Sequence, residues 1–361
     1  MSPLHAAEVP PAPGAGRSTR APRLVVGLAL TAAAAALVVM VPRLVHVSWT
    51  SVLTTLATVS LGWLAVLAVV WLAGMWAHTL VLTSSMPGLS SRRALGLNLA
   101  GSAVANSVPL GGAVSMGLTT AMARSWGFAR VELATFLTVS NVWNLLFRAL
   151  FGAFALAFLL TGLPHGAVAS AAPVALGAAV LVVVTIVLLL ARERWAALLG
   201  RGAGTLADLV HRLRGGEPGD LAGAGARGAV EVRATTLRVI GSSWHQMSVG
   251  MVVYLSLLCL LLDLCLHAIG TPVPVATVVA AVAVERLLSA VPVTPGGAGV
   301  AELGIVAVLT LSGTAPLAAA SAAVLYRLFT FALEIPVGLG VAAGWGALRW
   351  RRHHVREQVA A

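Results

Sequence analysis

The sequence predicts an all-α fold, a polytopic membrane helical bundle with two inverted-repeat halves. Three observations support this fold class. Of the 361 residues, 59% are apolar and only 10% are charged, whereas a soluble domain carries about 25% charged residues. Apolar runs of about 18 residues or more recur along the chain, and such runs need a bilayer. Two further apolar stretches are broken by proline and glycine and resemble each other.

Six apolar runs are predicted to cross the membrane. A basic, proline-rich tail at residues 1–23 precedes them and is expected to be disordered. The six crossings are residues 24–41, 61–83, 131–160, 171–191, 244–265 and 317–345. The first run also has the length of a signal-peptide core, but the apolar chain that follows it favours a retained span.

The two broken stretches, residues 94–126 and 276–312, are predicted to be re-entrant hairpins. Each half has about 12 to 17 residues, too few to cross a hydrocarbon layer of roughly 30 Å. They lie in the first membrane half, residues 24–191, and in the second, residues 244–345. A polar segment rich in arginine and glycine, residues 192–243, joins the halves and is predicted to be a cytoplasmic loop, half of which forms an interfacial helix.

Arginine positions predict the orientation. The chain has no lysine, so all 23 basic residues are arginine. Short loops rich in arginine stay in the cytoplasm, and threading both broken stretches as hairpins puts the termini, residues 192–243 and the basic tail 346–361 on that side. The expected location is the cell membrane. The absence of lysine also excludes Walker A, Schiff-base and Ser-Lys chemistry.

The broken stretches share a motif and a polar stripe. Residues 107–112 read Ser-Val-Pro-Leu-Gly-Gly, and residues 290–297 read Ala-Val-Pro-Val-Thr-Pro-Gly-Gly. Three crossings separate the copies, so they are predicted to have opposite orientations, as in transporters whose site lies near the middle of the bilayer. Chance recurrence of small residues in a chain rich in alanine and glycine is the alternative interpretation.

Downstream of each motif, polar residues follow one helix face at i, i+3 and i+7 spacing. Asn141, Asn144 and Arg148 align with Arg327, Thr330 and Glu334. The opposite charges of Arg148 and Glu334 at equivalent positions suggest an ion pair between the halves.

Seven charged residues fall within or at the edge of apolar segments, although a charge near a helix centre costs about 3 kcal/mol on insertion scales. We expect them to face a shared, hydrated interior. A structural salt-bridge network is the alternative, with Glu302 capping a half-helix and Asp263 at the outer interface. The seven are Arg148, Arg286, Arg327, Asp263, Glu285, Glu302 and Glu334.

The breaks and the charged residues together form the predicted substrate site. Glycine lets bare backbone approach a ligand, and the free amides of the following half-helix attract a phosphate; tight helix packing through small residues is the competing explanation. The residues predicted to bind substrate are Asn106, Pro109, Gly111, Gly112, Asn141, Arg148, Glu285, Pro295, Gly296, Gly297, Glu302, Arg327 and Glu334.

Motifs for other chemistry are not found in the sequence. There is no His-Glu-x-x-His, Cys-x-x-Cys or Gly-x-Ser-x-Gly pattern. Isolated His78, His245 and His267 are interpreted as interfacial or packed residues. We therefore expect no metal, no cofactor, no catalytic residue and no nucleic-acid partner.

Residues 292–302, followed by Gly313 and by Tyr326 and Arg327, resemble the signature of the lysylphosphatidylglycerol synthase transmembrane family, also called flippase-like membrane proteins. Residues 106–112, with the later Arg124, are similar to the first-half motif of that family. In the namesake, this region is understood to move an aminoacylated phospholipid between leaflets, while a separate cytosolic domain attaches the amino acid. The chain ends soon after the last span, so the resemblance implies a stand-alone lipid translocase rather than a synthase.

The leading hypothesis is therefore a flippase for a phospholipid or a related polar lipid in a bacterial cytoplasmic membrane. Arg148 and Arg327 would meet the phosphate, and Glu302 and Glu334 a cationic headgroup. One alternative is a lipid-modifying enzyme with Glu302 as general base, and another is a scaffold for a separate lipid-modifying transferase. The expected partners are the membrane lipid, such a separate enzyme, and a second copy of the chain.

Overall fold

The computed structural model describes residues 47–108, 111–160, 172–213, 220–289 and 294–360, and every regular element within these ranges is helical. The helices are α1 Trp49–Ala57, α2 Leu61–Ser85, α3 Ser91–Ser107, α4 Gly111–Ser125, α5 Arg130–Leu160, α6 Ala172–Ala191, α7 Glu193–Leu213, α8 Leu221–Ala268, α9 Val275–Leu288, α10 Val300–Leu311, α11 Pro316–Arg327 and α12 Glu334–Ala360. A 3₁₀ turn, Pro295–Gly297, precedes α10, and a π-helical turn, Leu328–Ala332, joins α11 to α12.

Four helical segments of the described chain are long and apolar enough to cross a membrane: Leu61–Ser85, Arg130–Ala155, Leu221–Ala268 and Pro316–Trp350. Four of the six predicted crossings coincide with them. The all-helical membrane class is thereby confirmed. Residues 172–191 of the predicted crossing 171–191 form α6. The predicted tail 1–23 and crossing 24–41 lie outside the described residues.

The described part of residues 192–243 is more helical than predicted, since helix was expected for only half of this segment. These residues form α7 and the first half of α8, which continues without a break into the apolar run. The glycines that indicate a loop instead allow α7 and α8 to approach closely. A Cβ atom on Gly200 would overlap the Gly225 carbonyl, and one on Gly204 would overlap the Leu221 carbonyl. Small residues four apart bring helices together in this way.

The two broken stretches each form an antiparallel pair of short helices. In the first pair, Gly101 of α3 faces Ser115 and Thr119 of α4. In the second pair, Gly304 of α10 faces Val284 and Leu288 of α9. The predicted breaks therefore fall between helices.

The second break needs glycine because its backbone is left-handed. Gly296, Gly297 and Gly299 have φ values of 55°, 70° and 85°, which other residues rarely adopt. The amide of Gly299 then starts α10, where Glu302 Oε2 accepts its hydrogen bond at 2.6 Å.

The last predicted crossing, residues 317–345, is not a regular helix. Leu333 N donates to Leu328 O at 2.7 Å, an i to i−5 bond that defines the π-helical turn. Pro336 follows three residues later and has no N–H to donate. The chain thus gains an extra residue in one turn just before the proline.

Close helix contacts surround the centre of the molecule. Gly250 of α8 packs against Ala77 and Leu80 of α2, where an added Cβ would touch the Leu80 side chain. Alanines of α11, among them Ala319 and Ala323, are fully buried. Small residues at such contacts let membrane helices pack without a hydrophobic driving force. This packing positions α2, α8 and α11 around the polar interior.

Candidate functional site: a charged cavity between the helices

A cavity of about 250 Å³ lies among α2, α3, α5, α8, α9 and the π-helical turn. Its apolar lining is limited to Met75, Ala105, Met251 and Leu255. The remaining lining residues are His78, Asn98, Ser102, Asn106, Asn144, Arg148, Tyr254, Arg286, Ser289, Gly296, Arg327, Thr330 and Glu334. A polar interior of this kind inside membrane helices is costly, so it points to a function.

Arg148 projects from the middle of α5 into this cavity. Its Nη1 donates one long hydrogen bond, 3.4 Å, to the carbonyl oxygen of Arg286. No carboxylate of the described residues forms an ion pair with it. A half-buried guanidinium has five N–H donors, so Arg148 has most of its donors available for an anion.

Arg327, in contrast, is held on several sides at the end of α11. Its Nε lies 2.7 Å from Glu302 Oε1, and its Nη1 lies 3.5 Å from Glu285 Oε1. Its Nη2 donates to the Gly296 carbonyl at 3.0 Å, and the guanidinium lies 4.7 Å from the centre of the Phe331 ring. Arg327 is only 5% exposed, so these contacts compensate its removal from water.

Glu285 and Glu302 lie behind the arginines and do not line the cavity. Glu285 is fully buried and pairs with the neighbouring Arg286 as well as with Arg327. Glu302 pairs with Arg327 and also caps α10. Both carboxylates therefore stabilise the wall of the cavity.

Glu334 is the one acidic residue among those that line the cavity. It begins α12, is 5% exposed, and accepts a hydrogen bond from Asn106 Nδ2 at 3.2 Å. The suggested ion pair with Arg148 does not form among the described residues. Three arginines and one glutamate thus face the same space. Arg286 and Arg327 are paired with Glu285 and Glu302 behind the wall, so Arg148 is the lining arginine without a paired carboxylate among the described residues.

The two breaks lie next to each other at this cavity. Asn106 stands near the C-terminal end of α3, and a Cβ on Gly296 would overlap its Oδ1 atom and the Phe331 ring. The Gly296 carbonyl accepts from Arg327, so the exposed backbone of the second break is used by the network. The Gly296 backbone of the second helix pair therefore lies against the Asn106 side chain of the first pair.

The structure brings some of the predicted site residues together and separates others. Asn106, Arg148, Gly296, Arg327 and Glu334 line the cavity. Asn141 is exposed and donates to the Leu137 carbonyl of its own helix. Residues away from the lining are Gly111, Pro295 and Gly297, which are buried, Gly112, which is exposed, and the carboxylates Glu285 and Glu302. Pro109 lies outside the described residues.

Sequence reasoning missed two aromatic residues of the lining, His78 and Tyr254. Their ring centroids are 4.9 Å apart, and His78 Nε2 is buried with no hydrogen-bond partner among the described residues. His78 is thus a packed residue, as one of the two sequence interpretations has it, and it also lines the cavity. Each residue is an isolated polar group within an apolar run, which was the available signal.

The described residues contain no group of three His, Cys, Asp or Glu side chains that could hold a metal ion. Cys259 and Cys265 are free thiols. The arrangement offers a partly enclosed space with the unpaired Arg148 guanidinium and further hydrogen-bond donors, which suits an anionic group.

The fold and this cavity define an all-helical integral membrane protein with a charged interior. A family model described as "Lysylphosphatidylglycerol synthase TM region" matches residues 24–338. The chain belongs to this family, and the resemblance carried by residues 106–112 and 292–302 is confirmed. It is thus a membrane protein of a lipid-related family. Neither the comparison with curated proteins nor that with solved structures found a match.

Proposed function

We propose that this protein moves a phospholipid or a related polar lipid, including aminoacylated lipids, between the leaflets of the cell membrane. The observation that carries the proposal is Arg148, an arginine without an ion-pair partner among the described residues that faces a cavity between membrane helices. A lipid phosphate would supply the missing negative charge.

The size and charge of the cavity support a headgroup as its occupant. Its volume of about 250 Å³ exceeds the roughly 150 Å³ of an engineered cavity that binds benzene. Arginine matches the geometry of phosphate through paired N–H donors. Glu334 adds an acidic group on the opposite helix, which suits the amine of a zwitterionic or aminoacylated headgroup.

The short helix pairs support movement through the membrane. Their helices have 17, 15, 14 and 12 residues, so each is about 18 to 26 Å long, shorter than a hydrocarbon layer of about 30 Å. We interpret both pairs as re-entrant hairpins of an inverted repeat, with their breaks meeting near mid-membrane. Rocking of one half against the other would then expose the cavity to either side.

A neighbouring apolar pocket gives the lipid tail a place beside the headgroup. This pocket has a volume of about 600 Å³, and it shares Leu255 with the charged cavity. Phe147 and Phe151, which flank Arg148 on α5, line it. A phosphate on Arg148 would thus leave an acyl chain against these phenylalanines, in a pocket whose lining is mostly apolar.

A scrambling assay tests the proposal. Proteoliposomes with a fluorescent phosphatidylglycerol are treated with a membrane-impermeant quencher, and the rate at which inner-leaflet lipid becomes quenched is measured. We expect the protein to accelerate this rate and Arg148→Gln to reduce it at least tenfold. Arg212→Gln is the control, since Arg212 forms an exposed ion pair with Asp208 far along α7.

Two outcomes would contradict the proposal: no acceleration with phosphatidylglycerol or its aminoacylated form, or equal rates for Arg148→Gln and the wild type. The lipid is also recovered after the assay, and its molecular mass is measured by mass spectrometry. A changed mass would favour a lipid-modifying enzyme, since a translocase leaves its substrate chemically intact.

A further inference from the structure

A second pocket, separate from the charged cavity, opens on the surface where the N-terminus of α3, the C-terminus of α4 and the middle of α12 meet. It has a volume of about 640 Å³. Three arginines and two tryptophans dominate its lining: Arg92, Arg93, Arg349, Trp126 and Trp345. This combination of basic and aromatic side chains has no part in the cavity described above.

The tryptophans hold two of these arginines in place. The Arg93 guanidinium lies 5.2 Å from the centre of the Trp126 ring, and that of Arg349 lies 5.7 Å from the centre of the Trp345 ring. Trp345 Nε1 in turn donates to Ser125 Oγ at 3.0 Å, which ties α12 to α4. A guanidinium stacked on a ring face keeps its N–H edges free for an anion.

The three arginines of this pocket have no carboxylate partner among the described residues. Arg92, Arg93 and Arg349 are all exposed, and none forms an ion pair with a described carboxylate. Arg212 and Arg227 are exposed arginines that do have a carboxylate partner, Asp208 and Asp220. What sets Arg92, Arg93 and Arg349 apart from other unpaired arginines of the described chain is that all three line one pocket.

With the charged cavity near mid-membrane, as proposed above, this pocket would lie at the depth of lipid headgroups. Arg92 precedes Asn106 by 14 positions on α3, which is about 21 Å of helix. Arg349 follows Glu334 by 15 positions on α12, about 22 Å. A bilayer with its headgroup regions is about 40–45 Å thick, and half of that is about 20–22 Å. The distance along either helix from the cavity to this pocket therefore equals about half the thickness of the bilayer. Tryptophan is enriched at the same level.

We propose that this pocket binds the phosphate of an anionic phospholipid in the leaflet on the arginine-rich side. Arg92, Arg93 and Arg349 hold the phosphate, and the apolar lining residues Met122, Val341 and Leu348 contact the start of the acyl chains. The pocket is built on α3 and α12, the helices whose other ends carry the Asn106–Glu334 hydrogen bond. The inference rests on binding alone and does not need transport to occur.

Photo-crosslinking locates such a lipid directly. The full-length protein is placed in nanodiscs that contain a photoreactive phosphatidylglycerol or, in parallel, a photoreactive phosphatidylcholine, and labelled peptides are mapped. We expect phosphatidylglycerol to label residues 122–126 and 341–348 at least fivefold more than phosphatidylcholine does. The triple variant Arg92→Gln, Arg93→Gln, Arg349→Gln should lose this preference.

The matched control removes three arginines of α7 and α8, as Arg201→Gln, Arg227→Gln, Arg238→Gln, and should retain the preference. Arg148→Gln should retain it too, so a failure of the transport proposal leaves this one intact. Equal labelling by both lipids, an equal loss in the control triple variant, or competition by millimolar inorganic phosphate would each overturn the proposal. Unfolding midpoints of the variants verify that each is folded.

Discussion

Arg148 and Arg327 face one cavity but have different environments. Arg327 contacts two carboxylates and a backbone carbonyl, whereas Arg148 contacts one carbonyl at 3.4 Å. Removing one member of a buried ion pair leaves the other member uncompensated. Arg327 is thus expected to stabilise the fold, while Arg148 remains available to a ligand.

Arg327→Gln should destabilise the protein by about 3–5 kcal/mol, because Glu285 and Glu302 would stay buried with a weaker partner. Thermal or denaturant unfolding in detergent measures the change. The double variant Arg327→Gln, Glu302→Gln should recover part of the loss. An unfolding midpoint of Arg327→Gln equal to that of the wild type would contradict the assigned role.

Glu334→Gln should change which headgroup is moved. The amide keeps the approximate shape of the side chain beside Asn106, but the cavity loses its lining carboxylate. We expect transport of aminoacylated phosphatidylglycerol to fall several-fold relative to transport of phosphatidylglycerol itself, measured with both lipids in the same proteoliposomes. An unchanged ratio would show that Glu334 does not contact the amine.

At the scale of secondary structure, glycines determine how closely the helices that carry the site approach each other. Gly338 of α12 lies against the backbone of α3, where a Cβ would overlap the Leu99 carbonyl and touch Ala103. Gly340, two residues further on, has no such neighbour within 4 Å. These two positions share a helix and differ only in what they face.

Gly338→Ala should therefore destabilise the protein by about 1–3 kcal/mol, the usual range for overpacking. It should also weaken the Asn106–Glu334 contact by moving α3 away from α12. Gly340→Ala is the matched control and should leave the unfolding midpoint unchanged or slightly raised, since alanine is a better helix former than glycine. Equal effects of the two substitutions would contradict the close packing.

For the whole molecule, the proposed orientation rests on the arginines and on the antiparallel helix pairs. The start of α9 and the end of α10 lie at the same end of their pair, because Gly304 faces Val284 and Leu288. The re-entrant hairpin proposed above would place both ends of this pair on the outer side, and the proposed orientation would place the arginine-bearing α7 and the start of α8 on the cytoplasmic side.

Single cysteines in a background of Cys259→Ala and Cys265→Ala test this arrangement. Val275→Cys and Ala315→Cys, both at exposed positions, should react with an impermeant maleimide on intact cells. Gly202→Cys, exposed on α7, should react only after the cells are opened. Labelling of Val275→Cys and Ala315→Cys from opposite sides would contradict the re-entrant hairpin.

Much of this organisation was predictable from the sequence. The membrane class follows from composition, and the breaks between α3 and α4 and between α9 and α10 follow from the local proline and glycine residues. The polar spacing of Arg327, Thr330 and Glu334 predicted a shared face, and all three line the cavity. The same spacing argument predicted that Asn141 of α5 faces the site, but Asn141 does not line the cavity. Residue spacing predicts which side chains share a helix face, but not which other helices that face contacts.

Sequence by itself determined the membrane class, the family and the positions of the helix breaks, because these depend on properties of neighbouring residues. Tertiary structure alone decided which charges pair and which stay free. Glu302 and Arg327 are 25 positions apart, and His78 meets Tyr254 across two helices. Such contacts depend on how the helices pack, and short-range sequence patterns do not encode the angles and distances between them.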